Sequence, residues 1–205
     1  VDILRYTGGH LHILAISTGK SAEIVRQAKK EGLKLTCGIA AHQLAFIDRD
    51  LDTFDTRLKV NPPFRTNKEK SDLIRALKDG TIDVIISDHS PHDVENKKRE
   101  FEHAAFGISS LETSFSALVI SLGDKLPLSD LISKLAIGPR KILGFRIPTI
   151  AEGESANLTL FNASEARPFS KEDMISKSKN NPFGSIELRG NVVGVIRGRK
   201  SAMID

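Results

Sequence analysis

The chain has 205 residues, 40% of them apolar and 27% charged, with 30 basic against 26 acidic side chains and a formal charge of +4. That balance excludes a disordered chain, and no apolar run approaches the roughly 20 residues that a membrane-spanning helix needs. A single cysteine, Cys37, and a start at Val1-Asp2-Ile3-Leu4-Arg5 without the shape of a secretory signal lead us to expect a soluble, cytoplasmic globular protein.

Residues 11–16 form a short apolar run that reads as a buried strand. Ser17-Thr18-Gly19 then leads into a helix over residues 20–30, with Ala22, Ile24, Val25 and Ala28 on one side and Glu31-Gly32 as its stop. A second strand is expected over 33–39. The stretch 40–66 reads as mostly irregular, and within it Asn61-Pro62-Pro63 holds the backbone extended. A second helix covers Asn67–Lys78, with Leu73, Ile74 and Leu77 inward and Asp79-Gly80 at its end. Residues 83–87 are the third strand. A polar loop runs to about Phe106-Gly107, and helical patterns fill 109–122 and 128–142. From about Asn157 the texture changes: 157–161, 185–188 and 192–197 read as strands, with Gly190-Asn191 as a hairpin turn between the last two.

The order β-α-β-loop-α-β is the signature of parallel strands joined by crossover helices. Three such strands are too few for a closed (β/α)8 barrel, so the sheet is either open and small or part of a barrel. We read residues 1–150 as the α/β part and 151–205 as strands of a small β domain.

Polar residues gather just after the strands, where parallel α/β folds build their sites: Ser17 and Thr18, then His42, then Asp88, His89 and His92. In Ser87-Asp88-His89-Ser90-Pro91-His92, Asp88 could bind a metal with one oxygen and take a proton from water with the other. The same segment also reads as an Asp-turn beside surface histidines. Asn61 could present its amide to a substrate with paired amide groups, or simply belong to a rigid loop. His10 and His12 follow the His-x-His spacing of metal ligands, but Gly8-Gly9 favours a structural reading. His42 suits a pocket wall or a packing role, His103 the surface, and Cys37 the core. The basic clusters Lys97-Lys98-Arg99 and Arg197-Gly198-Arg199-Lys200 are short and lack interleaved aromatics, which fits solvated loops and a hairpin end rather than nucleic-acid contacts. Phosphate-binding glycine loops, GxGxxG, GxSxG and CxxC motifs are absent from the sequence.

Taken in order, several segments resemble the C-terminal portion of a dihydroorotase, a cyclic amidohydrolase. They are Ile16-Ser17-Thr18, Val60-Asn61-Pro62-Pro63-Phe64-Arg65, Asp79-Gly80-Thr81-Ile82-Asp83, Asp88-His89-Ser90-Pro91-His92, Ala105-Phe106-Gly107-Ile108 and Leu111-Glu112-Thr113-Ser114-Phe115. The stretch from Glu152 to Phe161 is similar to the family's entry into its small β domain. The resemblance implies a (β/α)8 TIM barrel of the metal-dependent amidohydrolase type, followed by strands of a small β-sandwich. It also implies a zinc site and reversible hydrolysis of dihydroorotate to N-carbamoyl-L-aspartate in pyrimidine biosynthesis. By the same resemblance Asp88 is metal ligand and general base, Asn61 and His92 bind substrate, and the backbone of Ala105, Phe106 and Gly107 contacts its ring.

Three departures stand out. Ala15 occupies the family's position for a metal-binding histidine, and Ala41-His42-Gln43 stands where the family often has Pro-His-His. The family's first-strand His-x-His and its carboxylated lysine or aspartate would lie before Val1, so the remaining zinc ligands are expected there. Dihydroorotase-like proteins that have lost ligands serve as non-catalytic partners of aspartate carbamoyltransferase, which makes such a scaffold the alternative. A sister enzyme such as allantoinase is a further one. A homo-oligomer is compatible with either.

Overall fold

The computed structural model describes every residue of the chain except Asp173, Ser185 and Asp205. A helix the sequence pattern does not announce, α1 (Asp2–Thr7), precedes β1 (Leu11–Ile13), α2 (Gly19–Lys30) and β2 (Leu35–Ala40). Then come α3 (Ala41–Ala45), α4 (Asn67–Lys78), β3 (Val84–Ile86), α5 (Val94–Lys97), α6 (Ser114–Leu122), α7 (Leu128–Ile132) and α8 (Gly138–Ile142). The last three elements are β4 (Asn157–Pro168), β5 (Glu187–Arg197) and β6 (Lys200–Met203).

Strands β1, β2 and β3 form a parallel sheet with β2 central, Leu11 opposite Leu35 and Gly38 opposite Val84. Helices α2 and α4 begin where hydroxyl side chains accept the first free amides: Thr18 Oγ1 takes the Ser21 N–H at 3.1 Å, and Thr66 Oγ1 the Glu69 N–H at 3.4 Å. Both helices cover one face of the sheet. Leu35, Cys37 and Ile39 of β2 join Ala22, Val25 and Ala28 of α2 and Leu73 and Leu77 of α4 in one buried cluster. Strand alternation puts Thr36, Gly38 and Ala40 on the other face.

The first strand is shorter than expected, closing at Ile13, although the Ile16 N–H still donates to the Gly38 carbonyl at 2.9 Å. Here the chain crosses close over β2, and a Cβ on Gly38 would lie 2.5 Å from the Leu14 carbonyl oxygen. The stretch 40–66 is also more ordered than its composition suggests. It holds α3 and 3-10 turns at Asp48–Leu51 and Thr56–Leu58. Ala41, His42, Gln43 and Leu44 are all buried, so tertiary packing rather than periodicity makes this five-residue helix. The helical pattern over 128–142 is continuous, with a π-helical turn at Ser133–Ile137 between α7 and α8.

The tail forms a separate antiparallel sheet in the order β4-β5-β6. The expected hairpin at Gly190-Asn191 is not there. Both residues lie within β5, and the reversal occurs between β5 and β6, where Gly198 has φ +59°. Gly190 takes φ +84° opposite a register irregularity in β4, and a Cβ there would sit 2.9 Å from Val119 Cγ2. Its glycine serves a bulge and a close approach to α6 rather than a turn. The strand expected over 185–188 starts on Ser185, which lies outside the described residues; from Glu187 onward it is part of β5. Phe183 and Leu188 of the tail pack with Ala117 of α6 and the partly buried Phe46. Among the described residues, no helix is long and apolar enough to cross a membrane.

Gly38→Ala places a methyl group against backbone that cannot step aside, so it is expected to cost about 3 kcal/mol of folding free energy, read by urea denaturation.

Candidate active site

The site grows from the C-terminal ends of the parallel strands. Asp88 follows β3 by two residues and sits at φ +51°, a backbone region that non-glycine residues occupy at a cost of about 1–3 kcal/mol. The loop partner that holds it there is residues 108–111. Ser110 Oγ donates to the Ser87 carbonyl at 2.7 Å, the Ser90 N–H to the Ile108 carbonyl at 2.8 Å, and the Leu111 N–H to His89 Nδ1 at 3.1 Å. The Asp88 side chain is 36% exposed, and burial pushes its carboxyl pKa above the usual range.

Facing it is His42, in the first turn after β2 and only 1% exposed. Its Nε2 lies 3.6 Å from Asp88 Oδ2, beyond hydrogen-bond reach, and neither ring nitrogen has a hydrogen-bond partner among the described residues. The imidazole meets the Phe64 ring edge-on at 5.7 Å, and burial pushes its pKa down to about 4, so it is neutral with a lone pair available. A buried polar group without a partner is costly. An orphaned imidazole beside a carboxylate therefore has the donor chemistry for a zinc-type cation. The sequence pattern left His42 between pocket wall and packing residue; its place two residues past a strand end, like that of Asp88, is the signal that separates the two.

Asn61 is exposed in the loop before α4, where the Asn61–Pro62 peptide is cis. The buried Gln43 fixes this loop by donating Nε2–H to the Pro62 carbonyl at 2.7 Å. So the residue following His42, which departs from the family pattern, ties α3 to the Asn61 loop. His92 does not stand free in the site: its Nε2 bonds the Phe106 carbonyl at 2.8 Å. The turn at 105–107 is anchored from behind as well. Lys97 Nζ donates to the carbonyls of Ala105 at 2.8 Å and Gly107 at 3.1 Å, and the Gly107 N–H donates to the Lys59 carbonyl at 2.8 Å. Lys59 Nζ sits 4.5 Å from the centroid of the Phe106 ring. The expectation that Lys97-Lys98-Arg99 is a solvated cluster fails at Lys97, which is buried because its ammonium caps two peptide carbonyls. Arg197-Gly198-Arg199-Lys200 is exposed at the β5–β6 turn, as expected.

Other sequence candidates fall elsewhere. His12 Nδ1 bonds Thr36 Oγ1 at 2.8 Å, and with His10 it lines a groove shared with Lys34 and Asp83 near the strands' N-terminal ends, the wrong edge to replace a ligand at Ala15. His103 is exposed with Glu100 and Glu102, a surface trio of ligand-type groups. Cys37 is buried in the core, its thiol pKa pushed up to about 11 by desolvation. The pattern gave no hint of Gln43, Lys97, Ser110, or the tail residues Ser178 and Asn180 that also reach this edge.

The profile of the amidohydrolase family matches residues 1–200. A dihydroorotase of Thermoanaerobacter sp. (strain X514) is 39% identical over 195 residues, covering 94% of this chain and 45% of its own length. The dihydroorotase of Bacillus subtilis (strain 168) is 38% identical over 195 residues, 94% of this chain and 46% of its own. The solved L-hydantoinase (dihydropyrimidinase) of Arthrobacter aurescens superposes with a TM-score of 0.90 at 24% identity, covering 98% of this chain and 46% of that one. The chain thus spans about half the length of the relatives it matches, and the fold it shares with them is that of a TIM-barrel amidohydrolase.

Burial pushes the Lys97 pKa down to about 8, below the value near 10.4 expected in an unfolded chain. Between these values the unfolded state binds more protons, so stability rises with pH from about 8 to about 10 and falls back as pH drops through 8. Urea denaturation should show a gain of up to about 3 kcal/mol over that window, missing in Lys97→Met.

Proposed function

The chain belongs to the amidohydrolase family, and we propose that it is the C-terminal part of a dihydroorotase, acting in pyrimidine biosynthesis on dihydroorotate and N-carbamoyl-L-aspartate. In this reading residues 1–150 supply the later strands of the barrel with its active-site edge. Residues 151–205 supply strands of a small β-sandwich. The observation that carries the proposal is the Asp88 carboxylate beside His42, whose ring nitrogens have no hydrogen-bond partner among the described residues, at the strand edge that also bears Asn61 and the 105–107 turn.

His42 and Asp88 would hold zinc, with further ligands from the part of the relatives' length that this chain does not span. Zinc, when bound there, lowers the pKa of water toward neutrality and polarises the amide carbonyl. Asp88 takes the proton from the attacking water and returns it to the ring nitrogen as the C–N bond breaks; ring closure reverses both transfers. Asn61, on a loop pinned by Gln43, binds the substrate, and so does His92. His92 can do so only from a ring already tethered to the Phe106 carbonyl, which supports a role in which histidine and turn act as one surface. The carbonyls of Ala105 and Gly107 already accept from Lys97, and their N–H groups donate to the Asn96 and Lys59 carbonyls, which favours the Phe106 N–H as the turn's donor toward the ring's oxygens.

A second reading has one specific support. Ala15 supplies no nitrogen ligand where the family pattern places a histidine, as a non-catalytic scaffold of aspartate carbamoyltransferase would allow.

In the full-length, zinc-supplied protein, Asp88→Ala should lower the dihydroorotate ring-opening rate by at least about a thousandfold with the fold retained. Asn61→Ala should raise KM about tenfold. His42→Ala should weaken zinc binding by at least about tenfold, read by metal titration. Turnover that survives Asp88→Ala would overturn the mechanism, and zinc affinity unchanged in His42→Ala would overturn the site.

A further inference from the structure

The segment between β4 and β5 reaches back across the molecule to the strand edge. Ser178 makes two bonds to one residue: its Oγ donates to the His92 carbonyl at 2.7 Å and accepts the His92 N–H at 3.2 Å. Two residues on, Asn180 Nδ2 donates to the Gly107 carbonyl at 2.8 Å, while the Asn180 carbonyl accepts the Ser109 N–H at 2.8 Å. Asn181 continues the row, donating Nδ2–H to the Ser109 carbonyl at 2.8 Å. Asn180 and Asn181 are both buried, so these bonds are shielded from competing water. The Asn180 amide orientation follows from its partner, because a carbonyl can only accept.

Three residues of the tail therefore grip two separate loops, and both grips land on backbone rather than on side chains. The His92 grip fixes where the imidazole starts, and the Gly107 grip fixes the turn that the imidazole touches. We infer that Ser178 and Asn180 are positioning residues for substrate: they set the spacing between His92 and the 105–107 turn from a part of the chain outside the α/β half. This rests on the proposed function. It adds that the β4–β5 connection is part of the substrate site's construction and not only a link between strands. Neither residue need touch the substrate, so the expected signature is weaker binding with chemistry preserved.

The test uses the full-length, zinc-loaded protein and dihydroorotate kinetics. Ser178→Ala removes both bonds to His92. Asn180→Asp keeps the shape but turns a second acceptor toward the Gly107 carbonyl. Each should raise KM at least fivefold with kcat within twofold, and Ser178→Thr, which keeps the hydroxyl, should return KM to within twofold of the parent. KM unchanged in both variants, or kcat falling while KM stays fixed, would overturn the inference. If Asn180→Asp does not fold, Ser178→Ala decides. Should the parent protein fail to open dihydroorotate, the proposed function falls separately, and hydrogen exchange reads the strap. At least fivefold faster exchange over residues 88–93 and 105–110 in Ser178→Ala would uphold the positioning role; parental rates there would overturn it.

Discussion

Parallel pairing of β2 with both of its neighbours is the constraint that organises the whole molecule. It brings the ends of three strands to one edge, so residues far apart in sequence, Ser17, His42 and Asp88, are delivered to the same side of the sheet. The helices that make parallel connection possible cover one face only, leaving the polar edge free for chemistry. The chain leaving β2 or β3 must turn within a few residues between sheet and helix layer, so these strand ends are crowded. That crowding removes water from His42 and partly from Asp88, and it accounts for the direction of both pKa shifts.

A site with half-buried carboxylate and buried imidazole needs its loops held by something other than apolar packing. The chain solves this with polar side chains bonded to backbone: Gln43 on Pro62, Ser110 on Ser87, Lys97 on Ala105 and Gly107, Ser178 on His92, Asn180 on Gly107. Each bond fixes a peptide plane, which sets loop geometry more tightly than side-chain packing alone, and each is costly to break inside the protein. The strained φ of Asp88 is tolerable because its neighbours on both sides are anchored in this way.

Much of this was legible from the sequence where the signal is local. Helices α2 and α4 carry hydroxyl caps, apolar inner positions and stop glycines, and they form within a residue of expectation, although Ile24, expected with Ala22, Val25 and Ala28 on the inner side of α2, is exposed. Asp88 was visible because it ends an apolar strand. His42 was only half visible, since its burial depends on Phe64 and its isolation on what does not reach it. Gln43, Lys97, Ser178 and Asn180 left no trace, because each acts on backbone many residues away and backbone acceptors have no sequence signature. Helix α5, four residues long, is too short for periodicity to register. Gly190 misled for a related reason: positive φ serves a bulge as well as a turn, and the choice was made by Val119 and Phe115 pressing on β5 from α6.

The proposed dihydroorotate-opening edge must distinguish that ring from its uncharged relatives. The most direct test is the ring-opening rate of the full-length protein, zinc supplied, on dihydroorotate compared with dihydrouracil and hydantoin, rings of the same amide chemistry without the carboxylate. Dihydroorotate should turn over with kcat/KM at least about a hundredfold above either competitor, corresponding to about 3 kcal/mol of discrimination. A folded, zinc-supplied protein that opens hydantoin or dihydrouracil better, or opens none of the three, would contradict the assignment of this edge to dihydroorotate.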